Sequence, residues 1–363
     1  DDTSDTQVEE PTEGAYKIAM ITDYGDITDQ SFNQTTYEAC KAFAEDNSIE
    51  FNYFKPAGDN TADRVAMIEK AVDEGYNVIV MPGYAFGGAI VETAPKFSDV
   101  KFIALDVSAG DLGDGFEVPD NLYCAVYQEE LCGYMAGYAA VKMGYTKLGF
   151  LGGMAVPAVV RYGYGFVQGV DAAAAETGTE NVTLNYVYGG QFFGDADITA
   201  VMDTWYQHDG VEVVFACGGG IYTSAVDAAK KADAKVIGVD VDQAGVIANY
   251  AETEGMTITS AMKGLYPTTY DTLSDVILND SWSKYAGQIA TLGLVSADDP
   301  EANYVQIPMG DGTQWCDTFT QDDYKAMVKA MYDGELTVSN DITKSPADFA
   351  TCIAVEDQGA IKG

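Results

Sequence analysis

Short runs of apolar residues alternate with longer amphipathic segments along most of this chain, from residue 16 onward. The apolar runs are continuous, which is typical of strands that are buried on both faces. The longer segments repeat their apolar positions with helical spacing. Such alternation predicts parallel sheets that are covered by helices on both faces. In the first part of the chain, the strands are predicted at 17–22, 51–54, 77–81, 101–107 and 122–126, and the helices at 31–47, 62–74 and 89–94.

The second part of the chain repeats this pattern. A helix at 129–143, rich in Gly and Ala, is predicted to carry the chain out of the first lobe, and a helix at 267–279 to return to it. Further strands are predicted at 148–151, 182–187, 211–216, 235–239 and 257–261, and further helices at 164–176, 198–208, 223–232 and 322–332. A length of 363 residues also suits two domains.

The predicted fold is therefore α/β, with two doubly wound parallel-sheet lobes joined by a hinge that the chain crosses several times. We assign residues 15–128 and 265–300 to the N-terminal lobe. Residues 129–264 and 301–363 form the C-terminal lobe, and a ligand cleft is expected between the two lobes.

The charge of the chain restricts its partners. Acidic residues outnumber basic ones 57 to 19, which gives a net charge of −38. Such a surface repels phosphate backbones, so nucleic acid is excluded as a partner. Only Arg64 and Arg161 are arginines. Because phosphate recognition usually relies on arginine, a neutral ligand is favoured over a phosphorylated one.

Residues 1–14 are acidic and polar and show no apolar periodicity, which predicts a flexible tether. The sequence contains no window of about 18 apolar residues, the length that a membrane-spanning helix needs. A tether of this kind is typical of a mature lipoprotein or of a trimmed chain whose targeting segment has been removed. We therefore expect membrane attachment only through an N-terminal lipid anchor that this sequence lacks.

The cysteines and the single histidine carry little chemistry. Cys40, Cys124, Cys132 and Cys217 lie in apolar patterns, which predicts buried side chains. Cys316 and Cys352 lie in polar stretches, and the sequence leaves open whether they form a disulfide. One histidine, His208, is too few for a His-based zinc site, and its polar surroundings predict a surface position.

Polar and aromatic residues follow many of the predicted strands in both lobes. Because ligands of open parallel sheets bind beyond the carboxyl ends of the strands, these residues form the candidate site. Carboxylates could accept the hydroxyls of a cis-diol, and aromatic faces could enclose a planar base. The candidate ligand-binding residues are Asp29, Phe32, Asn33, Tyr84, Asp106, Gly219, Tyr222, Asp240 and Lys263.

These residues also have structural interpretations. Asp29 or Ser31 could cap the first helix, and Phe32 could be a core anchor. Asp106 and Asp240 could be turn residues. A site is favoured because so many strands of both lobes are followed by polar residues.

Several segments, in order along the chain, resemble the basic membrane protein family, the purine-nucleoside-receptor-A-like (PnrA-like) substrate-binding lipoproteins of ABC importers. The resemblance extends over about residues 16–340. It rests on the segments Asp-Gln-Ser-Phe-Asn-Gln at 29–34, Lys-Phe-Ile-Ala-Leu-Asp at 101–106, the glycine-containing segments at 149–153 and 165–169, the aromatic loop at 188–195, and the segments at 236–243 and 259–263.

The resemblance implies a type I periplasmic-binding-protein fold that binds a purine nucleoside such as adenosine, guanosine or inosine and delivers it to a membrane permease. It implies that Asp29 and Asn33 meet the purine edge and that Phe32 stacks on the base. It also implies that Asp240 accepts the ribose hydroxyls beside Lys263. A monomer at the outer face of the cell membrane or in the periplasm is expected, with no cofactor, no metal ion and no enzymatic activity.

Two departures from the family leave alternatives open. The run Gly218-Gly-Gly-Ile-Tyr222 and a longer C-terminal stretch leave the second stacking residue and the base preference undecided. Another aromatic or sugar-like solute, such as riboflavin, a sugar or a signal molecule, is the alternative ligand on the same fold. A nucleoside hydrolase is less favoured, because the aspartates at 23, 26 and 29 lack the Asp-x-Asp spacing of its calcium site.

Overall fold

The computed structural model describes residues 15–363, and the predicted tether at 1–14 lies outside this range. Strands and helices alternate from Lys17 onward. The strands are β1 Lys17–Ile21, β2 Glu50–Phe54, β3 Val78–Pro82, β4 Lys101–Leu105, β5 Leu122–Tyr127, β6 Lys147–Gly152, β7 Thr183–Tyr188, β8 Val213–Cys217, β9 Lys235–Asp240, β10 Thr257–Lys263, β11 Gln288–Leu292, β12 Val305–Gln306 and β13 Ala354–Ala360. The α-helices are α1 Phe32–Asn47, α2 Thr61–Asp73, α3 Gly87–Thr93, α4 Ala109–Leu112, α5 Glu129–Lys142, α6 Pro157–Thr177, α7 Ala196–Thr204, α8 Tyr222–Ala232, α9 Ala244–Ala251, α10 Leu265–Leu273 and α11 Gln321–Tyr332.

These strands form two sheets. The first has the order β11-β5-β4-β3-β1-β2 and is parallel throughout. The second has the order β12-β10-β9-β8-β6-β7-β13, in which only β12 is antiparallel to its neighbour. Every residue of β3 and of β8 is buried, because helices cover both faces of each sheet. The predicted doubly wound α/β architecture is confirmed.

The chain passes between the sheets at three places, which lie between β5 and β6, between β10 and β11, and between β11 and β12. Helix α5 lies within the first passage and packs along α6. A Cβ atom at Gly133 would lie 2.3 Å from the carbonyl oxygen of Tyr162, and one at Gly137 would lie 2.3 Å from that of Phe166. Glycine is therefore required for this close helix contact.

The last part of the chain is fastened to the second sheet. Strand β13 pairs in parallel with β7 at the sheet edge. The Asp171 carboxylate on α6 accepts hydrogen bonds from the backbone N–H groups of Thr351, Cys352 and Ile353 and from the Thr351 hydroxyl, at 2.6–3.2 Å. Sequence patterns did not predict β11, β12, β13, α4 or α9, and α6 begins at Pro157 rather than at the predicted residue 164.

The cysteines are all free thiols among the described residues. Cys40, Cys124, Cys132 and Cys217 are buried, as predicted, whereas Cys316 and Cys352 are exposed and form no disulfide. His208 is exposed at the end of the helical segment that follows α7. Across residues 15–363, no helix has both the length and the hydropathy needed to cross a bilayer.

Candidate functional site

A cavity of about 390 Å³ lies between the two sheets, beyond the carboxyl ends of their strands. Its volume is within the range of small-molecule sites. Loops after β1, β3 and β4 line one side, and residues at the ends of β8, β9 and β10 line the other. The predicted site residues that line it are Asp29, Phe32, Asn33, Tyr84, Asp106, Gly219, Asp240 and Lys263.

Tyr222 is the predicted site residue that does not line this cavity. It is buried at the start of α8, where its ring meets that of Tyr250 edge-on at 5.9 Å. The turn at 218–220 reaches the cavity before the chain arrives at Tyr222. The structure therefore places the Tyr222 ring in the packing between α8 and α9.

The Asp29 carboxylate holds the start of α1. Its Oδ1 accepts from the backbone N–H groups of Ser31 and Gln34, at 2.9 and 3.1 Å. Its Oδ2 accepts from the backbone N–H and the side-chain Nδ2 of Asn33, at 2.9 and 3.1 Å. These N–H groups have no partner within the helix, so the cap stabilises the helix start. Burial raises the pKa of Asp29, and these amides oppose that shift.

Asn33 presents an acceptor without a donor. Its Oδ1 is buried and receives no hydrogen bond from any residue in 15–363, whereas its Nδ2 is held by Asp29. A buried polar atom without a partner costs about 1–3 kcal/mol. A ligand that carries an N–H donor would remove this cost.

Asp106 and Asp240 occupy equivalent places in the two sheets. Asp106 directly follows β4, and Asp240 ends β9. Both have left-handed backbones, with φ of 59° and 67°. Aspartate is one of the few non-glycine residues that adopt this backbone comparatively often, which suits it to both positions. The two carboxylates face the cavity from opposite sides.

Direct contacts join the two lobes around the cavity. Lys263 Nζ donates to Asp106 Oδ2 at 2.5 Å, and the Ser31 hydroxyl donates to Asp240 Oδ2 at 2.5 Å. Gln243 Nε2 donates to the carbonyl oxygen of Gln30 at 3.1 Å. The lobes are therefore closed on each other.

Lys263 also belongs to a buried network of charges. Its ammonium lies 3.3 Å from Glu129 Oε1, and Glu129 Oε2 accepts from Arg161 Nε at 2.6 Å. Burial alone would lower the pKa of Lys263, but Asp106 and Glu129 outweigh it and raise the pKa above its usual value. Burial raises the pKa of Asp106 to about 6 although Lys263 opposes this shift. The Lys263 ammonium and the Asp106 carboxylate lie at ion-pair distance, 2.5 Å apart.

Phe192 lines the cavity from the loop after β7. It fits because residues 153 and 218 are glycines: a Cβ atom there would lie 2.4 and 2.8 Å from the Phe192 ring. The Phe192 carbonyl oxygen accepts from the Gly220 N–H at 2.8 Å. The glycine run thus makes room for an aromatic ring and fixes its loop.

Several lining residues were not among the predicted ligand-binding residues, and four of them have side chains suited to contacting a ligand. Asp23 and Tyr24 lie in the loop after β1, and Arg161 lies near the start of α6, which follows β6. The rule that ligands bind beyond strand ends would have included these three residues. The loop of Phe192, the fourth, belonged to the family resemblance, but its ring had been given no contact.

The lining side chains offer charge, hydrogen bonds and aromatic faces. Burial raises the pKa of the Cys217 thiol at the cavity wall well above its usual range, so this thiol is neutral. No cluster of three or more His, Cys, Asp or Glu within residues 15–363 is arranged to hold a metal ion. The charged, hydrogen-bonding and aromatic side chains of the lining are suited to recognising a ligand.

Comparison with protein families identifies one match. Residues 16–297 match the family model described as "ABC transporter substrate-binding protein PnrA-like". The matched range contains every residue discussed above for the cavity.

Individual relatives agree with this match. The chain is 26% identical to "ABC transporter nucleoside-binding protein BmpA" of Lactococcus lactis over 62% of its own length and 64% of that protein, just under two thirds of it. It is 30% identical to the "CD4+ T-cell-stimulating antigen" of Listeria monocytogenes over 68% of the chain and 70% of that protein. A solute-binding protein of an ABC transporter system from Aeropyrum pernix has the same fold, with a TM-score of 0.68 at 20% identity over 92% of this chain and 90% of that one.

Proposed function

This chain belongs to the PnrA-like family of ABC transporter substrate-binding proteins, and we propose that it binds a nucleoside, by preference a purine nucleoside, in the cavity between its lobes. The observation that carries this proposal is the combination of two phenylalanines, Phe32 and Phe192, with two opposed aspartates, Asp106 and Asp240, in a single cavity. A nucleoside has the matching parts, a flat aromatic base and a sugar with hydroxyl donors.

The base is assigned to the aromatic part of the cavity. Phe32 enters from the N-terminal lobe and Phe192 from the C-terminal lobe, so a base between them would contact both lobes. Stacking of a base on an aromatic side chain contributes about 1–3 kcal/mol. The unpaired Oδ1 of Asn33 would accept from an N–H group on the base edge. Asp29 supports this contact indirectly, because it orients Asn33.

The sugar is assigned to the carboxylates. Asp106 Oδ1 is buried and has no hydrogen-bond partner among the described residues, and Asp240 lies on the opposite wall. Hydrogen bonds to charged groups are stronger than neutral ones, at about 1.5–3 kcal/mol each. The ribose hydroxyls would donate to these carboxylates, and Lys263 would hold Asp106 in place.

The transport role follows from closure. A ligand that contacts both lobes shifts the equilibrium toward the closed form, because it binds that form more tightly. The closed protein would present surfaces of both lobes to the permease of an ABC importer. We place the protein outside the cytoplasm, lipid-anchored at the outer face of the cell membrane, as a monomer. The nucleoside-binding name of the lactococcal relative supports the ligand class.

The test uses the solute that the purified protein retains. Mass spectrometry of the small molecules released on denaturation should find a purine nucleoside. Calorimetry on stripped protein should show adenosine, guanosine or inosine binding more tightly than riboflavin or galactose.

Retention of a riboflavin-like or sugar solute, with no nucleoside binding, would contradict the proposal. Recovery of free base from inosine, with or without calcium, would indicate hydrolysis instead. Recovery of intact inosine is the expected result.

A further inference from the structure

Arg161 is a cavity residue with unused hydrogen-bond donors. It lies near the start of α6, and its side chain is 16% exposed. Its Nε donates to Glu129 Oε2 at 2.6 Å, but neither Nη atom donates to an acceptor within residues 15–363. Because Arg161 lines the cavity, these Nη atoms are available to a ligand.

Glu129 fixes the position of this guanidinium. Its side chain is fully buried and does not line the cavity. Its other carboxylate oxygen, Oε1, lies 3.3 Å from Lys263 Nζ. A buried carboxylate that pairs with two cations is held firmly, because moving either cation would leave a charge unpaired. One residue of α5 thus orients two cations of the cavity wall.

The charges of this network balance. Lys263 and Arg161 carry two positive charges, and Asp106 and Glu129 carry two negative ones. The remaining carboxylates that line the cavity, such as Asp23 and Asp240, would repel an anionic ligand. The free Nη atoms are therefore suited to an uncharged oxygen acceptor rather than to a phosphate.

The neighbours of Arg161 indicate which part of the ligand it meets. The next residue, Tyr162, donates its hydroxyl to Asp240 Oδ1 at 3.2 Å. Through Glu129 and Lys263, Arg161 is also connected to Asp106. Both aspartates belong to the part of the cavity that is assigned to the sugar.

We infer that Arg161 is a further ligand-binding residue, which Glu129 positions, and that its Nη atoms donate to an oxygen of the ligand's sugar. This inference rests on the proposed nucleoside function. It adds a specificity determinant, because a free base would lack the acceptor that Arg161 requires.

The test is calorimetry of Arg161→Met, Arg161→Lys and Glu129→Gln with adenosine and with its 2′-, 3′- and 5′-deoxy forms. Arg161→Met should weaken adenosine binding about tenfold or more. The wild type should bind one of the deoxy forms more weakly than it binds adenosine. Arg161→Met should bind that deoxy form and adenosine equally well. Arg161→Lys should have an adenosine affinity between those of the wild type and Arg161→Met, because lysine keeps the charge but lacks the planar fork of donors.

In Glu129→Gln, which keeps Arg161, the difference in affinity between adenosine and that deoxy form should also disappear. This readout separates positioning from a general loss of stability, which would weaken all four ligands alike. Lys96→Met, which removes an exposed cation far from the network, is the charge control and should keep affinity within about twofold.

Two outcomes would overturn the inference: Arg161→Met binding adenosine like the wild type, or losing affinity equally for all four ligands. If the wild type binds none of these nucleosides, the proposed function fails. The retained solute, compared by mass spectrometry between the wild type and Arg161→Met, then decides the role of Arg161. Equal retention of the solute by the two proteins would contradict a role of Arg161 in ligand binding.

Discussion

The Ser31 hydroxyl of one lobe donates a 2.5 Å hydrogen bond to the Asp240 carboxylate of the other. Ser31 directly precedes α1 in one lobe and Asp240 ends β9 in the other, so this bond exists only when the lobes are closed. Asp240 therefore has two proposed tasks, to join the lobes and to receive the sugar. Substitutions of Asp240 and of Ser31 distinguish these two tasks.

Asp240→Ala should weaken nucleoside binding by about 2–3 kcal/mol, or roughly 30- to 150-fold, and should weaken the free base only by the roughly 2- to 10-fold that loss of the Ser31 contact causes. Ser31→Ala removes only the contact between the lobes. It should weaken the nucleoside and the free base alike, by about 2- to 10-fold. Calorimetry with adenosine and adenine measures both effects. Unchanged adenosine affinity in Asp240→Ala would rule out the ribose contact.

Phe192→Ala should reduce nucleoside affinity by about 1–3 kcal/mol, because a base would lose one stacking face. Tyr332 is the control, since it is an aromatic residue that is 49% exposed at the end of α11 and lies outside the cavity lining. Tyr332→Ala should stay within about twofold of the wild type. Tryptophan or ligand fluorescence titration can follow both variants. Unchanged nucleoside affinity in Phe192→Ala, or equal losses in the two variants, would contradict stacking on Phe192.

Glu130 predicts a pH dependence of stability. Burial, aided by the charge of Glu129, raises the pKa of Glu130 to about 7, and its Oε2 has no hydrogen-bond partner in the described part of the chain. A raised carboxyl pKa means that the folded state holds the proton more tightly than the unfolded state. The resulting stability is complete below the ordinary glutamate pKa of about 4.3 and is lost as the pH rises through about 7.

Glu130→Gln should therefore stabilise the protein at pH 8 by about 1–3 kcal/mol relative to its effect at pH 5. Urea denaturation at the two pH values measures this difference. Glu92→Gln removes an exposed carboxylate on α3 and should leave the wild-type difference in place. A Glu130→Gln variant with the same pH dependence as the wild type would disprove the assignment.

Asp171→Ala should lower the free energy of unfolding by about 2–4 kcal/mol at pH 7, because several N–H and O–H donors of residues 351–353 would lose their acceptor. Burial raises the pKa of Asp171, but these bonds outweigh burial and lower it overall. Their stabilisation is therefore complete above pH of about 4 and is lost on further acidification. Nucleoside affinity should not change, since Asp171 lies outside the cavity lining.

The central strands of both sheets could be predicted because they are continuous and apolar. Strand β11, by contrast, is half-exposed or exposed along its length, and β13 is almost entirely exposed. Edge strands bury too little of either face to leave an apolar run in the sequence. The first and last turns of helix α9 carry no charged residue, so the usual charge signals of a helix end are missing from the sequence.

The position of the site could be predicted from the ends of the strands, but the partners of each residue could not. Asp29 uses both its oxygens to hold α1, and only the folded backbone shows this. From the sequence alone, Glu129 has the position of an ordinary exposed acid at the start of a helix. Its burial beside Lys263 and Arg161 depends on α6 and β10, which are distant in the sequence.

Strand β13 also determines where the second sheet stops growing. Its outer edge carries adjacent acids, Glu356 and Asp357, and Gly359 has a left-handed backbone at φ 68° where the pairing register becomes irregular. An incoming strand would meet negative charge and then a kink, both of which discourage edge-to-edge association. Copies of this protein at high local concentration would thus be kept from joining their sheets into aggregates.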